Sequence, residues 1–339
     1  MEDSTWKAGE EIMSRTIVDT EVIKQAVAVA SRAPSLHNSQ PWTWVADGGE
    51  LQLFADRSRV LRAADSAGRE ALVSCGAMLD HLRIAMAAAG WQSFVDRFPN
   101  PNDLSHLASV HFQRAGYVTD AMRARATAML RRRTDRLPYR PPTDWDILRP
   151  VLRELVDSDV VHLHVIDEAG RRELARASRR TEALRRQDLE YQSELDWWTA
   201  PFELDEGIPR SALNSVPEAD RVDVNRAFPI DGHHERRVAT GPDQAAILVL
   251  STPEDSREDA LLAGEALSTV LLECTAVGLA TCTVTHLTET EDGRAAITAA
   301  LGTSRYPQAL IRVGRAPALE QSPAPTPRRP VSDVLKFRR

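Results

Sequence analysis

Residues 75–91 read CGAMLDHLRIAMAAAGW, and residues 263–279 read AGEALSTVLLECTAVGL. Gly264 stands 188 residues after Gly76, Leu267 188 after Leu79, and Gly278 188 after Gly90. Each copy has a small residue and a glycine near its start, apolar residues at helical spacing, and a closing glycine that leads into a strand-like run. A glycine early in a helix costs roughly 1 kcal/mol against alanine, so its presence in both copies predicts a close packing contact there. Chance likeness of two helices is the alternative. Duplication would make the chain two similar halves, packed as an intramolecular pseudo-dimer.

The surroundings of the two copies agree with this reading. Before the first come a helix at 22–33 stopped by Pro34 and a hairpin of runs 42–46 and 51–55 joined by Asp47-Gly48-Gly49. The first helix itself spans 67–89, and strands at 92–98 and 108–113 follow it. The second half opens with a helix at 144–156, capped by Thr143, and strands at 160–165 and 245–250. Its long helix, 259–277, precedes strands at 281–285 and 309–313 that flank a short helix at 292–301. A basic helix at 119–133 and the rigid Pro138, Pro141 and Pro142 stretch join the halves. The expected class is therefore α+β: antiparallel sheets flanked by helices, with halves 1–118 and 119–339. Residues 317–339 carry five prolines before Val331 and read as an extended arm.

Composition sets outer limits. The 339 residues are 42 % hydrophobic and 27 % charged, too apolar for a disordered chain. Lys plus Arg number 42 against 49 acids, giving a net charge of −7 that argues against a general nucleic-acid binder. No uninterrupted apolar run approaches the ~20 residues of a membrane span, and the first residues lack signal-peptide order. Cys75, Cys274 and Cys282 show no ligand spacing, so reduced thiols, no metal and a cytoplasmic location are expected. His162, His164 and the His233-His234 pair likewise lack partners at metal-ligand spacing.

Chemistry concentrates in the string from Ala33 to Trp42, APSLHNSQPW. A helix-stopping proline, hydroxyls and amides leave backbone groups free to meet the edge of a planar polar heterocycle. By composition alone a capped turn with a buried tryptophan is the favoured reading. The second cluster is Arg131-Arg132-Arg133-Thr134-Asp135-Arg136, either a solvated helix end or a clamp of guanidinium forks and a hydroxyl on a dianion.

Pro34, Ser35, Asn38, Gln40, Pro41 and Trp42 match the P-S-x-x-N-x-Q-P-W loop, and here the chain resembles the FMN-dependent nitroreductase family. The resemblance implies that Pro34, Ser35, Leu36 and Asn38 contact the isoalloxazine or ribityl chain. Arg132, Arg133, Thr134 and Arg136 are similar to the family's R-R-S-x-R signature for FMN phosphate and ribityl oxygens, with Thr in place of Ser. Arg328 and Arg329 in the arm resemble its terminal basic pair. Thr285 and His286 fall where the family has the Glu-Gly pair facing flavin N5. Both depart from that pattern; His286 is a weak candidate proton donor, and a structural hydrogen-bonder is the commoner role for a lone histidine.

In the family the arginine signature opens the chain and the loop follows it. Here the first half keeps the loop, with only Met13-Ser14-Arg15-Thr16-Ile17 in the arginine position, and the second half keeps the arginines without the loop. One composite site, and one FMN per chain, is the expectation. The roughly seventy residues from 170 to 240, with Trp197-Trp198 and Gly207-Ile208-Pro209, read as an insertion forming a lid over the flavin. Two unequal halves with such an insertion resemble the Acg-like branch of the family.

Function then divides. An open ring face implies an NAD(P)H-dependent FMN oxidoreductase with a small-molecule acceptor. Trp197, Trp198 or Ile208 over the ring implies a non-catalytic FMN binder that stores flavin. A structural α+β protein without flavin is the remote third reading. A fused pair with its large interface already internal is expected as a monomer or weak homo-oligomer.

Overall fold

The computed structural model describes residues 18–199, 205–229, 235–237, 241–317, 319 and 324–338. The Met13–Ile17 segment and the His233-His234 pair lie outside these. Helix α1 (Thr20–Ala30) starts where the Asp19 carboxylate accepts the Glu21 N–H at 2.7 Å, and buries Ile23, Ala26, Val27 and Ala30. Strands β1 (Trp42–Asp47) and β2 (Glu50–Ala55) form the expected hairpin, turning on Gly48 and Gly49 at positive φ. Helix α2 (Arg69–Ala88) ends before Gly90, whose φ of 84° is a glycine C-cap conformation. Strands β3 (Trp91–Arg97) and β4 (His106–Arg114) and helix α3 (Asp120–Arg131) complete this part.

The second half supplies α4 (Trp145–Val156), β5 (His162–Val165), α5 (Glu168–Arg185), α6 (Leu189–Trp198) and the short α7 (Val216–Asp220). Asp144, not Thr143, holds the cap position of α4. The charged stretch from Ala169 to Trp198 forms two helices, because Asp188 accepts the Tyr191 N–H at 3.0 Å and starts α6 afresh. Then follow β6 (Ala246–Thr252), α8 (Arg257–Ala276), β7 (Ala280–Val284), α9 (Glu291–Leu301), β8 (Tyr306–Gly314), α10 (Val331–Val334) and β9 (Leu335–Phe337).

The two sheets share one plan. In the first the order is β3-β4-β2-β1, and in the second β7-β8-β6-β5, with every one of these neighbours antiparallel. Each contains a register shift at the corresponding pairing, Leu53/Phe54 of β2 and Leu250/Ser251 of β6. The one addition is β9, which lies parallel to β1 with Trp44 opposite Leu335. The arm therefore ends as a helix turn and a strand rather than staying extended throughout. Its proline-free terminal residues include Val334 and Leu335, which are buried, and pairing covers the open edge of β1.

Helices α2 and α8 cross at the centre. A Cβ added to Gly76 would collide with the Leu261 carbonyl and lie 3.0 Å from the Cα of Gly264. One added to Gly264 would collide with the Val73 carbonyl and lie 2.9 Å from the Cα of Gly76. The apolar core runs through this crossing, from Trp42, Leu79 and Trp91 to Leu152, Leu248 and Ile311. Charge joins the halves too: Arg97 donates twice to Glu265 at 2.8 Å, and Arg83 once at 3.0 Å. Helix α2 is long and apolar enough to cross a membrane, and 78 % of that stretch is buried inside the protein.

Candidate functional site

The turn between α1 and β1 is held in an unusual shape. His37, Asn38 and Gln40 all have positive φ, 48°, 60° and 51°, which costs energy in non-glycine residues and persists only where surroundings enforce it. The enforcing bonds are local and distant. Ser35 Oγ accepts the Gln40 N–H at 3.0 Å, and Ser74 Oγ on α2 accepts the Leu36 N–H at 3.2 Å. Gln40, fully buried, donates to the Asp205 carbonyl at 2.8 Å and accepts the Arg329 N–H at 2.9 Å.

Pro34, Ser35, Leu36 and His37 thereby form one wall of a cleft between the halves. Helix α2 contributes Glu70, Val73 and Ser74, and the segment after α3 contributes Thr134 and Arg136. Residues 282–285 at the end of β7 line the far side, with Leu267 of α8 at the base. Asn225, Arg226 and Phe228 of the insertion close the rest. The loop from the first half and the Thr134–Arg136 segment from the second thus face one space.

Two residues from Pro34 and from Thr134 along the chain, a cluster of guanidiniums begins. Arg132 is buried and donates to the Arg32 carbonyl at 3.2 Å. Arg328 donates to the carbonyls of Ser31, Arg32 and Ala33, and Arg32 to that of Thr326 at 2.9 Å. Arg133 stands at the exposed rim. Among the described residues no carboxylate pairs with any of the four. Burial, and then the neighbouring Arg32 and Arg133, bring Arg132 down to about 10; Arg328 falls well below its ordinary value for the same reasons. Arg132 Nε is buried with no partner. Such a cluster is costly to fold unless an anion joins it.

Other residues singled out in the sequence stand elsewhere. Asn38 lies behind the cleft wall, donating to the carbonyls of Gly207 at 3.0 Å and Pro327 at 3.1 Å. Arg329 is occupied with the Gln40 and Trp42 carbonyls and does not join the Arg132 cluster. His286 faces a second cavity inside the insertion, where its Nε2 pairs with Ser178 Oγ at 2.8 Å. Burial, and next the Arg226 charge, lower His286 to about 3, so it is neutral and is placed to anchor α5, not to donate protons in the cleft. Thr285 does line the cleft, donating to Glu289 at 2.9 Å and accepting from Arg226 at 3.0 Å.

The insertion meets the first half through Trp198 and through backbone and carboxylate bonds, Asp205 and Gly207 to the 38–40 turn and Glu194 to the Ala63 and Ala64 N–H groups. Trp197 is 57 % exposed, and Trp198 packs on the cluster of Leu61, Ala64, Tyr191 and Leu195 that Leu36 and Phe228 of the cleft wall also join. The Ile208 N–H bonds the Trp198 carbonyl at 2.7 Å. At the cleft itself Arg226 pairs with Glu289 and Tyr191, Arg136 lies 5.0 Å from the Phe228 ring centre, and His37 of the first half meets Phe228 edge-on. The single-residue spacing of Arg226 and Phe228 in an irregular segment carried no periodic signal that would have marked them.

Two topologically equivalent halves with one cationic cleft between them define an α+β protein of nitroreductase-like fold. The comparisons agree. Over 326 residues, 96 % of this chain and 98 % of the relative, the sequence is 52 % identical to "Putative NAD(P)H nitroreductase acg" of Mycobacterium tuberculosis. Rv3131 of the same organism, which carries the same description, is 38 % identical over 335 residues, 97 % of this chain and 95 % of that one. The chain belongs to this NAD(P)H nitroreductase family. Among solved structures, the FMN-dependent nitroreductase NfnB from Mycobacterium smegmatis aligns at 19 % identity and a TM-score of 0.39, over 65 % of this chain and 100 % of that one. No family model matches the sequence.

Proposed function

We propose that the chain binds one FMN between its halves and passes electrons from NAD(P)H to a small-molecule acceptor as a cytoplasmic monomer. The observation that carries this reading is the cluster of Arg32, Arg132, Arg133 and Arg328, without a carboxylate among the described residues, beside a cleft walled by Pro34, Ser35 and Leu36. Consecutive Cα atoms are ~3.8 Å apart, so the two short links from arginine to cleft wall keep a phosphate and a ring within reach of one ligand. The guanidiniums would hold the phosphate dianion through charge-assisted bonds. Ser35, Thr134 and Thr285 offer hydroxyls to the ribityl chain and ring edge, and Leu36, Val73 and Leu267 offer apolar contact to the ring. FMN supplies hydride acceptance and donation when bound; the chain supplies position and charge. The relatives' description as NAD(P)H nitroreductases supports NAD(P)H as the electron donor.

A second reading rests on the insertion. Asn225, Arg226 and Phe228 stand on the cleft wall, and Asn38, Gln40 and Glu289 tie the insertion down. Should this lid stay shut over the ring, the protein stores FMN without turning it over. Purified protein that is yellow and releases FMN on denaturation supports the shared part of both readings; colourless protein that takes up no added FMN ends them. Anaerobic mixing with NADPH or NADH then separates the two, since bleaching within seconds marks the reductase and persistent colour marks storage.

A further inference from the structure

One buried acidic group on the cleft wall has no part in binding as described. Glu70 stands in the first turn of α2, 2 % exposed, and lines the cleft that we assign to the flavin ring. Thr288 Oγ1 donates to its Oε1 at 3.0 Å, and Arg69 pairs with the same oxygen. Asp65 and Glu289 are its acidic neighbours, one before α2 and one in the turn between β7 and α9.

The charges do not balance. Three carboxyls, Asp65, Glu70 and Glu289, face two guanidiniums, Arg69 and Arg226. Asp65 accepts two backbone N–H groups, from Glu70 at 3.0 Å and Ala71 at 2.8 Å, which offset part of its burial and leave it, at about 6, more acidic than Glu70. Glu289 is paired with Arg226 and accepts from Thr285. With all three ionised the buried group carries one excess negative charge, and a proton relieves it most readily at Glu70. Across the cleft stand His37, kept neutral by burial and by Arg226 and Arg136, and Arg136 itself.

Resting on the FMN reading above, we infer that Glu70 is the redox-linked protonation site of this flavoprotein, taking up one solvent proton when the ring is reduced and releasing it on reoxidation. The balance is simple. Hydride from NAD(P)H carries two electrons and one proton and leaves NAD(P)+; the ring gains one negative charge. A buried carboxylate beside that charge is harder to keep ionised, so Glu70 binds a proton from solvent and the site's net charge is unchanged. Loss of hydride to the acceptor reverses both events. Burial foremost, with Glu289 and Asp65 adding to it, already raises Glu70 to about 7 before any reduction.

The test is the midpoint potential of the FMN-loaded chain, followed spectroelectrochemically across pH. One proton per two electrons gives a slope of about 30 mV per pH unit, and two give about 59. The native chain should steepen from the first toward the second as pH rises through about 7. Ionisation of the reduced ring alone would make the slope shallower with pH, the opposite sense. Glu70→Gln should abolish the steepening. Thr288→Val, which removes one hydrogen bond to the carboxylate and disturbs the fold less, should move its onset to higher pH. Equal slopes in native and Glu70→Gln protein, or an onset that Thr288→Val leaves in place, overturn the inference while FMN binding stands. A chain that takes up no FMN overturns this inference and the flavin reading together.

Discussion

Gly76 and Gly264 touch backbone to backbone, their Cα atoms set so that a Cβ on either one meets the other helix's main chain. Their contacts mirror each other: the carbonyl three residues before Gly264 faces Gly76, and the carbonyl three residues before Gly76 faces Gly264. Val73 and Ser74 near Gly76 and Leu267 near Gly264 line the cleft, so the crossing bears on its shape. Overpacking a close contact costs roughly 1–3 kcal/mol, and here main chain rather than a flexible side chain would have to yield. Gly76→Ala and Gly264→Ala should each lower the melting temperature by several degrees. They should also weaken FMN binding, as calorimetry would read. Native-like melting in both variants would refute the crossing.

The cation cluster makes a prediction that separates phosphate from ring. Each charge-assisted hydrogen bond contributes ~1.5–3 kcal/mol, and ~1.4 kcal/mol is a tenfold change in affinity. Arg132→Met should therefore weaken FMN roughly tenfold to a hundredfold while leaving riboflavin, which lacks phosphate, nearly unaffected. Arg329→Met, whose side chain holds the arm to the Gln40 and Trp42 carbonyls, should chiefly reduce stability. Fluorescence titration with both flavins checks this, and equal losses for FMN and riboflavin in Arg132→Met would contradict it.

Much of this was legible in the residues. The repeat around Gly76 and Gly264 announced both the equivalent halves and the close contact, because a mid-core glycine has few other reasons to recur. The Pro34–Trp42 string and the arginines at 132–136 announced the two walls of the cleft, since their chemistry is local in sequence. What escaped was what depends on distant partners. Asn38 and Arg329 look like ligand-binding side chains, yet both are engaged by carbonyls of segments that no local pattern brings near. Phe228 and Arg226 reach the cleft from an irregular segment with no period to read. The strand Leu335–Phe337 exists because β1 offers an edge, a fact of tertiary structure alone.

Buried histidines and buried acids should pull stability in opposite directions over the range from about pH 3 to 7. His81 and His286 are lowered to about 3 from an ordinary 6.5, foremost by burial. The folded chain binds fewer protons there than the unfolded one, so their contribution is complete above 6.5 and is lost as pH falls toward 3. Glu70 and Asp65, raised by burial to about 7 and about 6, act in the reverse sense: their contribution is complete below 4.5 and 3.8, and is lost as pH rises through about 7 and 6. The FMN-free protein should melt highest in slightly acidic to neutral buffer. Glu70→Gln should remove the loss of stability that Glu70 contributes between pH 4.5 and about 7 and leave the contribution of His81 and His286 in place. A pH dependence unchanged across that window in the variant would show that Glu70 does not titrate there.

The hold of the first half on the insertion can be loosened at one side chain. Asn38 Nδ2 donates to Gly207 on the insertion and to Pro327 on the arm, which commits that end of the amide to fastening, while its Oδ1 is buried without a partner among the described residues. A net ~1 kcal/mol per hydrogen bond makes the loss of both worth about 2 kcal/mol, or roughly thirtyfold more of an opened form. Asn38→Ala should therefore speed proteolysis near residue 207 by about that factor. If closure of the insertion limits access to the ring, anaerobic bleaching by NADPH should accelerate to a similar extent, with FMN affinity reduced far less than in Arg132→Met. Faster cleavage without faster bleaching would mean that the nicotinamide reaches the ring by another route, and that Arg226 and Phe228, not the Gly207 turn, govern entry.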